Sequence, residues 1–73
     1  MKEIVFSLEG APYIELDKLL KLLRLVESGG QAHEMIAQGL VTRDGTVETR
    51  KRAKLRPADC IELQGCARVL ITE

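Results

Sequence analysis

Tryptophan is absent from this 73-residue chain, and Phe6 and Tyr13 are its only aromatic residues. Proteins that grip single-stranded nucleic acid by stacking need several exposed rings, so that mode is disfavoured. Cysteine is as scarce: Cys60 and Cys66 stand alone, further apart than a redox or zinc C-x-x-C, and His33 is the single histidine. Two thiols and one imidazole fall short of the four ligands of a structural zinc site. Two cysteines are also a sparse framework for a secreted disulfide scaffold. Both are read as small buried hydrophobes in a reducing compartment, and neither metal nor cofactor is expected. No charge sign prevails, since eleven Lys and Arg face eleven Asp and Glu. That excludes the bulk cationic stickiness of a histone-like protein. Long apolar runs are missing too: the leucine-rich stretch is interrupted by Lys18, Lys21 and Arg24, so no membrane span is expected. Met1-Lys2-Glu3 leads straight into an alternating segment rather than into a signal peptide. The expectation is a cytoplasmic protein with no membrane partner.

What is present suffices for a fold. Apolar residues make up 45% of the chain and charged residues 30%. A chain this short buries roughly 60% of its unfolded surface, which leaves room for one domain over residues 1–73 and little for the walls of a large active site. Ile4, Phe6 and Leu8 alternate with Val5 and Ser7, a strand with one buried face. Gly10-Ala11-Pro12 breaks it. From about Tyr13 the period becomes helical, with Leu16, Leu19, Leu20 and Leu23 on one stripe. Tyr13 is expected to pack near the start of that helix. Ser28 and Gln31 stand in the S-x-x-Q relation of a capping box, in which the Gln31 side chain would reach back to the Ser28 amide. A second helix follows with Ala32, Met35 and Ile36 on its inner face, and Gly39 ends it. Asp44-Gly45 between short β-prone runs predicts a two-residue hairpin turn. Pro57-Ala58-Asp59 reads as a turn, and Cys60–Leu63 and Ala67–Thr72 as strands joined around Gln64-Gly65. The order implies an α+β layout, a helix pair covering one face of a small, mostly antiparallel β-sheet.

The charges are balanced but unevenly spread. Residues 1–42 hold four bases and six acids, net −2, and residues 57–73 hold one base and three acids, again −2. Residues 43–56 hold Arg43, Arg50, Lys51, Arg52, Lys54 and Arg56 against Asp44 and Glu48, net +4. A one-signed run costs self-repulsion that an anionic partner relieves, although a solvated loop would read the same way. Ser28-Gly29-Gly30 adds a second feature. A helix N-terminus presents unpaired amides and the positive end of the dipole, which suits a phosphate. The same glycines would also serve a tight interhelical turn.

With those residues in place, the segment from Leu16 to Leu63 resembles the S4 RNA-binding domain. The matching pattern is Leu16-Asp17-Lys18-x-Leu20, then Ser28, Ala32, Ile36, Gly39, Val41, Gly45 and Val47, ending in the turn Arg56-Pro57-Ala58-Asp59. It is more closely similar to the short stand-alone bacterial S4-like proteins, through Glu27-Ser28-Gly29-Gly30-Gln31-Ala32, the Asp-Gly hairpin and the basic stretch Glu48 to Leu55. The resemblance implies a two-helix αL motif, with its core at about residues 14–63, that binds structured RNA through the helix pair and the adjoining hairpin. Ribosomal RNA, transfer RNA and a messenger hairpin all suit a backbone-reading surface; ribosomal or transfer RNA, with ribosome association and a monomeric state, is the expectation. The chain departs from many S4 domains at Glu15, Gly29 and His33, where basic residues are common. Its hairpin has Arg43 in place of an apolar residue and Asp44 in place of Asn. RNA contact would therefore rest on Lys18, Ser28, Gly29, Gly30, His33, Arg43, Arg50, Lys51, Arg52 and Lys54. The alternative is a protein-interaction or regulatory adaptor that docks through the acidic flanks. An enzyme is not expected: His33-Glu34 begins an H-E-x-x-H motif, but residue 37 is alanine and the second ligand is missing.

Overall fold

Alternation puts Ile4 and Phe6 on the inward face of β1 (Lys2–Ser7), and Leu8 closes the run as a core residue. A computed structural model describes all 73 residues. The remaining elements are β2 (Ile14–Glu15), α1 (Leu16–Leu22), α2 (Gly29–Ala37), β3 (Val41–Arg43), β4 (Thr46–Val47), β5 (Lys54–Leu55), β6 (Cys60–Leu63) and β7 (Ala67–Thr72). Five strands form one sheet in the order β1-β7-β6-β3-β4. All pairings within it are antiparallel except β1 with β7, which is parallel in the register Ile4↔Val69 and Phe6↔Ile71. The expected α+β layout is therefore present, on a sheet that is mixed at one edge.

The two helices supply the apolar stripe. Leu16, Leu19 and Leu20 of α1 and Ala32 and Ile36 of α2 are fully buried. They pack with Val41, Ile61, Leu63, Val69 and Ile71 from the sheet into one core. Each large aliphatic side chain so buried is worth about 1.5–3 kcal/mol relative to exposure.

Both helices end in the same way. After α2 the Gly39 amide donates to Ile36 O at 3.1 Å and the Leu40 amide to Met35 O at 3.2 Å. This Schellman pattern sets Gly39 at φ +77°. After α1 the Arg24 amide donates to Lys21 O and the Leu25 amide to Leu20 O, each at 3.0 Å. Here it is Arg24 that occupies the left-handed region, at φ +57°. The Asp44-Gly45 turn has positive φ at both residues, 51° and 86°, and joins Arg43 directly to Thr46, as the hairpin signal predicts.

Four expectations need correction. Neither cysteine is buried: Cys60 is half-buried and Cys66 is exposed. The helical period does not begin at Tyr13, because Ile14 and Glu15 are drawn into a two-stranded sheet with Leu55 and Lys54. Tyr13 stays outside the core, 37% exposed. The capping box is also shifted: Ser28 Oγ accepts from the Gln31 amide at 3.1 Å, but the Gln31 side-chain oxygen accepts from the Glu27 amide, one residue before the cap.

Candidate nucleic-acid interface

Backbone contacts, more than side chains, fix the basic segment. The Leu16 amide donates to Ala53 O at 2.9 Å and the Asp17 amide to Lys51 O at 3.1 Å. The first turn of α1 is thereby capped by carbonyls of the basic segment, since Glu15 makes no side-chain cap. Ala53 and Leu55 are buried, while Arg50, Lys51, Arg52, Lys54 and Arg56 stay exposed. The apolar positions anchor the segment and leave the cations outside.

Two carboxylates tighten this arrangement. Glu48, 7% exposed, accepts from the Arg50 amide at 3.1 Å, from Arg50 Nε at 3.1 Å and from Arg50 Nη2 at 3.0 Å. Arg43 Nη1 approaches the same carboxylate at 3.6 Å. The Arg50 hydrogen bond is the strongest influence on Glu48 and overrides the opposing effect of burial. With the Arg50 amide and the Arg50 and Arg43 charges, it holds the carboxyl down to about 2. The same contact raises the Arg50 guanidinium above its ordinary value. Asp59 accepts from Arg43 Nη2 at 2.6 Å and from the Arg56 amide at 2.8 Å, and Arg43 Nη2 also donates to Lys54 O at 3.0 Å.

Arg43 therefore ties β3 to β5 and to the 56–59 turn. Its guanidinium is held by partners within the protein. Arg50 is paired at one end yet 70% exposed. Lys18 pairs with Glu15 at 3.1 Å and His33 Nε2 with Asp17 Oδ2 at 3.0 Å. Lys51, Arg52, Lys54 and Arg56 make no salt bridge. Arg43, Arg50, Arg52, Ala53, Lys54 and Arg56 line an open cleft of about 460 Å³, five cations to one apolar residue.

Asp17 joins this cleft to the start of α2. Burial pushes its carboxyl up, but the His33 bond, the Lys18 amide and the charges of His33 and Arg52 outweigh that and leave it below its ordinary value. One turn further back along α2, Gly29 faces Lys21 of α1: a Cβ on the glycine would lie 3.9 Å from Lys21 Cδ. The Gly29 and Gly30 amides have no acceptor within the protein. Neither glycine has positive φ, and a Cβ at either would make only ordinary contacts. The interhelical turn thus does not require glycine at these positions.

The predicted residues divide accordingly. Ser28 caps α2, with Gly29, Gly30 and His33 in its first half, and Arg50, Arg52 and Lys54 lie around the cleft, with Asp17 between the two groups. Lys51 is exposed but does not line the cleft, Lys18 is turned to Glu15, and Arg43 lines the cleft with its guanidinium paired to Asp59 and Glu48. Arg56 lines the cleft and Lys21 lies beside Gly29, and neither was singled out in the sequence. Arg56 was counted in the +4 segment, and Lys21 lies four residues after Asp17, but only the packing of the 50–56 segment and of α2 shows which cations meet.

The chain is similar to proteins already known. The family model described as "S4 domain" matches residues 6–71. The "Putative RNA-binding protein YbcJ" of Escherichia coli K12 is 48% identical over 60 residues, covering 82% of this chain and 86% of the relative. The "Uncharacterized protein YbcJ" of Shigella flexneri matches with the same identity and coverage. The solution structure of YbcJ from E. coli, described as revealing an αL motif involved in RNA-binding, superposes with a TM-score of 0.66 at 43% identity, covering 90% of this chain and 85% of that one.

Proposed function

We propose, from the premise that the chain belongs to the S4 domain family, that it binds structured RNA without catalysing a reaction. The observation that carries the reading is the cleft bounded by five cations, of which Arg52, Lys54 and Arg56 have no acidic partner. Phosphates are the groups such a cleft receives, and the free Gly29 and Gly30 amides at the α2 start offer a further anion contact. The surface reads shape. An A-form duplex hides its base edges in a deep groove and presents phosphates and 2′-hydroxyls. Residues 14–63 form the binding motif in this reading, ribosomal or transfer RNA is the partner class, and Arg43 and Glu48 support the surface without touching RNA. With Lys51 added, the free cations of the segment number four. Binding should then weaken with salt at a slope of roughly −3 to −4 on a double-logarithmic plot.

The test is retention of a structured RNA in gel-shift titrations over a salt series. The triple change Arg50→Glu, Lys51→Glu, Arg52→Glu should abolish retention. Unchanged affinity and salt slope would remove RNA binding from this surface.

A second reading, a protein adaptor, draws on the sheet face turned away from the helices, where Val5 is 71% and its neighbour Leu70 42% exposed. Partners recovered by pull-down and retained after nuclease treatment would favour it.

A further inference from the structure

The chain's only tyrosine is placed where neither the core nor the basic cleft accounts for it. Tyr13 stands outside the apolar cluster, and Lys54 Nζ lies over its ring, 5.0 Å from the centroid. Lys54 also lines the basic cleft, so the ring stands at the cleft's edge. There it borders a second hollow, of about 300 Å³, with Pro12, Ile14, Glu15 and Lys18. That volume is at the lower end of the range for small-ligand pockets, roughly 300–1,000 Å³.

Glu15 makes the hollow unlike the cleft. A carboxylate repels phosphate, so it weakens a surface that reads only the backbone. The RNA groups that a carboxylate accepts from are the 2′-hydroxyl and the N–H edge of a base, and of the two only the base also has a face to lay on the Tyr13 ring. Glu15 Oε1 is paired with Lys18 Nζ at 3.1 Å, which sets an acceptor and a donor side by side beside an aromatic ring. Guanine matches that set most fully, with two adjacent N–H donors for the carboxylate and O6 for the ammonium.

We propose that the hollow between Tyr13, Glu15 and Lys18 holds one unpaired nucleobase, preferentially guanine, of an RNA whose backbone lies in the adjoining basic cleft. This rests on the RNA-binding reading and adds to it a point of sequence selection. Tyr13 supplies the stacking face, Glu15 and Lys18 read the base edge, and Lys54 links the two sites. Unstacked bases bound on aromatic rings and read along their edges are how proteins obtain sequence information from RNA.

Two hairpins of identical stem test the proposal, one fully paired and one carrying a single bulged guanosine. Tyr13 is the only tyrosine and tryptophan is absent, so intrinsic fluorescence reports this ring alone. Both hairpins should bind. The bulged one should bind more tightly, by about 5- to 100-fold for one stacked base, and only it should quench the tyrosine. Tyr13→Ala should remove the difference while leaving affinity for the paired hairpin intact, Tyr13→Phe should retain it, and Glu15→Gln should reduce the preference for guanosine over a bulged uridine. Equal wild-type affinity for the two hairpins without quenching, or a preference that survives Tyr13→Ala, would overturn the pocket and leave backbone binding standing. Failure of both hairpins to bind would overturn the RNA reading, and the pocket with it.

Discussion

Strands β3, β6 and β7 are placed by ladder pairing over an apolar layer, with Ile61, Leu63, Val69 and Ile71 buried. Residues 48–59 have only the two-residue strand β5 and the buried Ala53 and Leu55. Beyond the backbone bonds to Leu16 and Asp17, they are held by Glu48 and Asp59, whose carboxylates bind Arg43, Arg50 and the Arg56 amide. The contrast shows how a neutral protein can present a cationic cleft. Some of its acids are spent inside, as struts that hold the cationic segment in one shape. Removing a strut then raises the net charge while loosening the surface that carries it.

The largest effect that sharpens this contrast is the Glu-for-base change at residues 50–52, which should lower RNA affinity by about two orders of magnitude with the sheet still folded by circular dichroism. Because Arg50→Glu also removes the partner of Glu48, Lys51→Glu with Arg52→Glu should lower affinity without loosening the segment. Glu48→Gln comes next. An account based on charge alone expects tighter RNA binding, whereas the strut account expects weaker binding together with a loss of about 1 kcal/mol in stability, measured by urea unfolding, because the amide keeps one acceptor oxygen but loses the charge and the second oxygen that hold Arg50 and Arg43. The pH dependence has a definite sign. The fold holds the Glu48 carboxyl down to about 2 against an ordinary 4.5, so the folded chain binds that proton less readily than the unfolded chain. The contribution is complete above about pH 4.5 and is lost as pH falls toward 2. Acid titration of wild type should show this loss, and Glu48→Gln should lack it.

Gly29→Ala and Gly30→Ala separate fold from function by sign. Neither position needs glycine sterically, so each change should stabilise the fold by a few tenths to about 1 kcal/mol. RNA affinity should fall, since the methyl groups crowd the amides. The smallest effect concerns the helix ends. Gly39 and Arg24 occupy equivalent left-handed positions, and only Arg24 bears the strain of a Cβ. Arg24→Gly should raise stability by up to about 1 kcal/mol, read as a higher thermal midpoint, with RNA binding unchanged.

The legible parts of the chain were those with local causes. Asp44-Gly45 announced its hairpin, Ser28 its cap and Gly39 its helix end, because each depends on residues within a few positions. The bounds of β6 and β7 follow from alternation between turns. Pairing of Ile14 and Glu15 with Leu55 and Lys54 was not legible, because two-residue strands carry no period and their partners lie some forty positions apart. The same long range hid the pairing of Arg43, since nothing near it in sequence marks Asp59 as its partner. Tyr13 was misplaced for the opposite reason: an aromatic residue just before a helix ordinarily packs, and only the turn of the chain into β2 leaves it at the cleft's edge.

The central claim, that structured RNA lies across the 50–56 segment and the start of α2, is tested most directly by mapping amide chemical shifts of the isotopically labelled protein during titration with an RNA hairpin. The predicted result is a contiguous set of shifted amides at Gly29, Gly30 and His33 and from Arg50 to Arg56, with Val5, Leu70 and the rest of the outer sheet face unmoved. Shifts confined to that outer face, or none at saturating RNA, would contradict it.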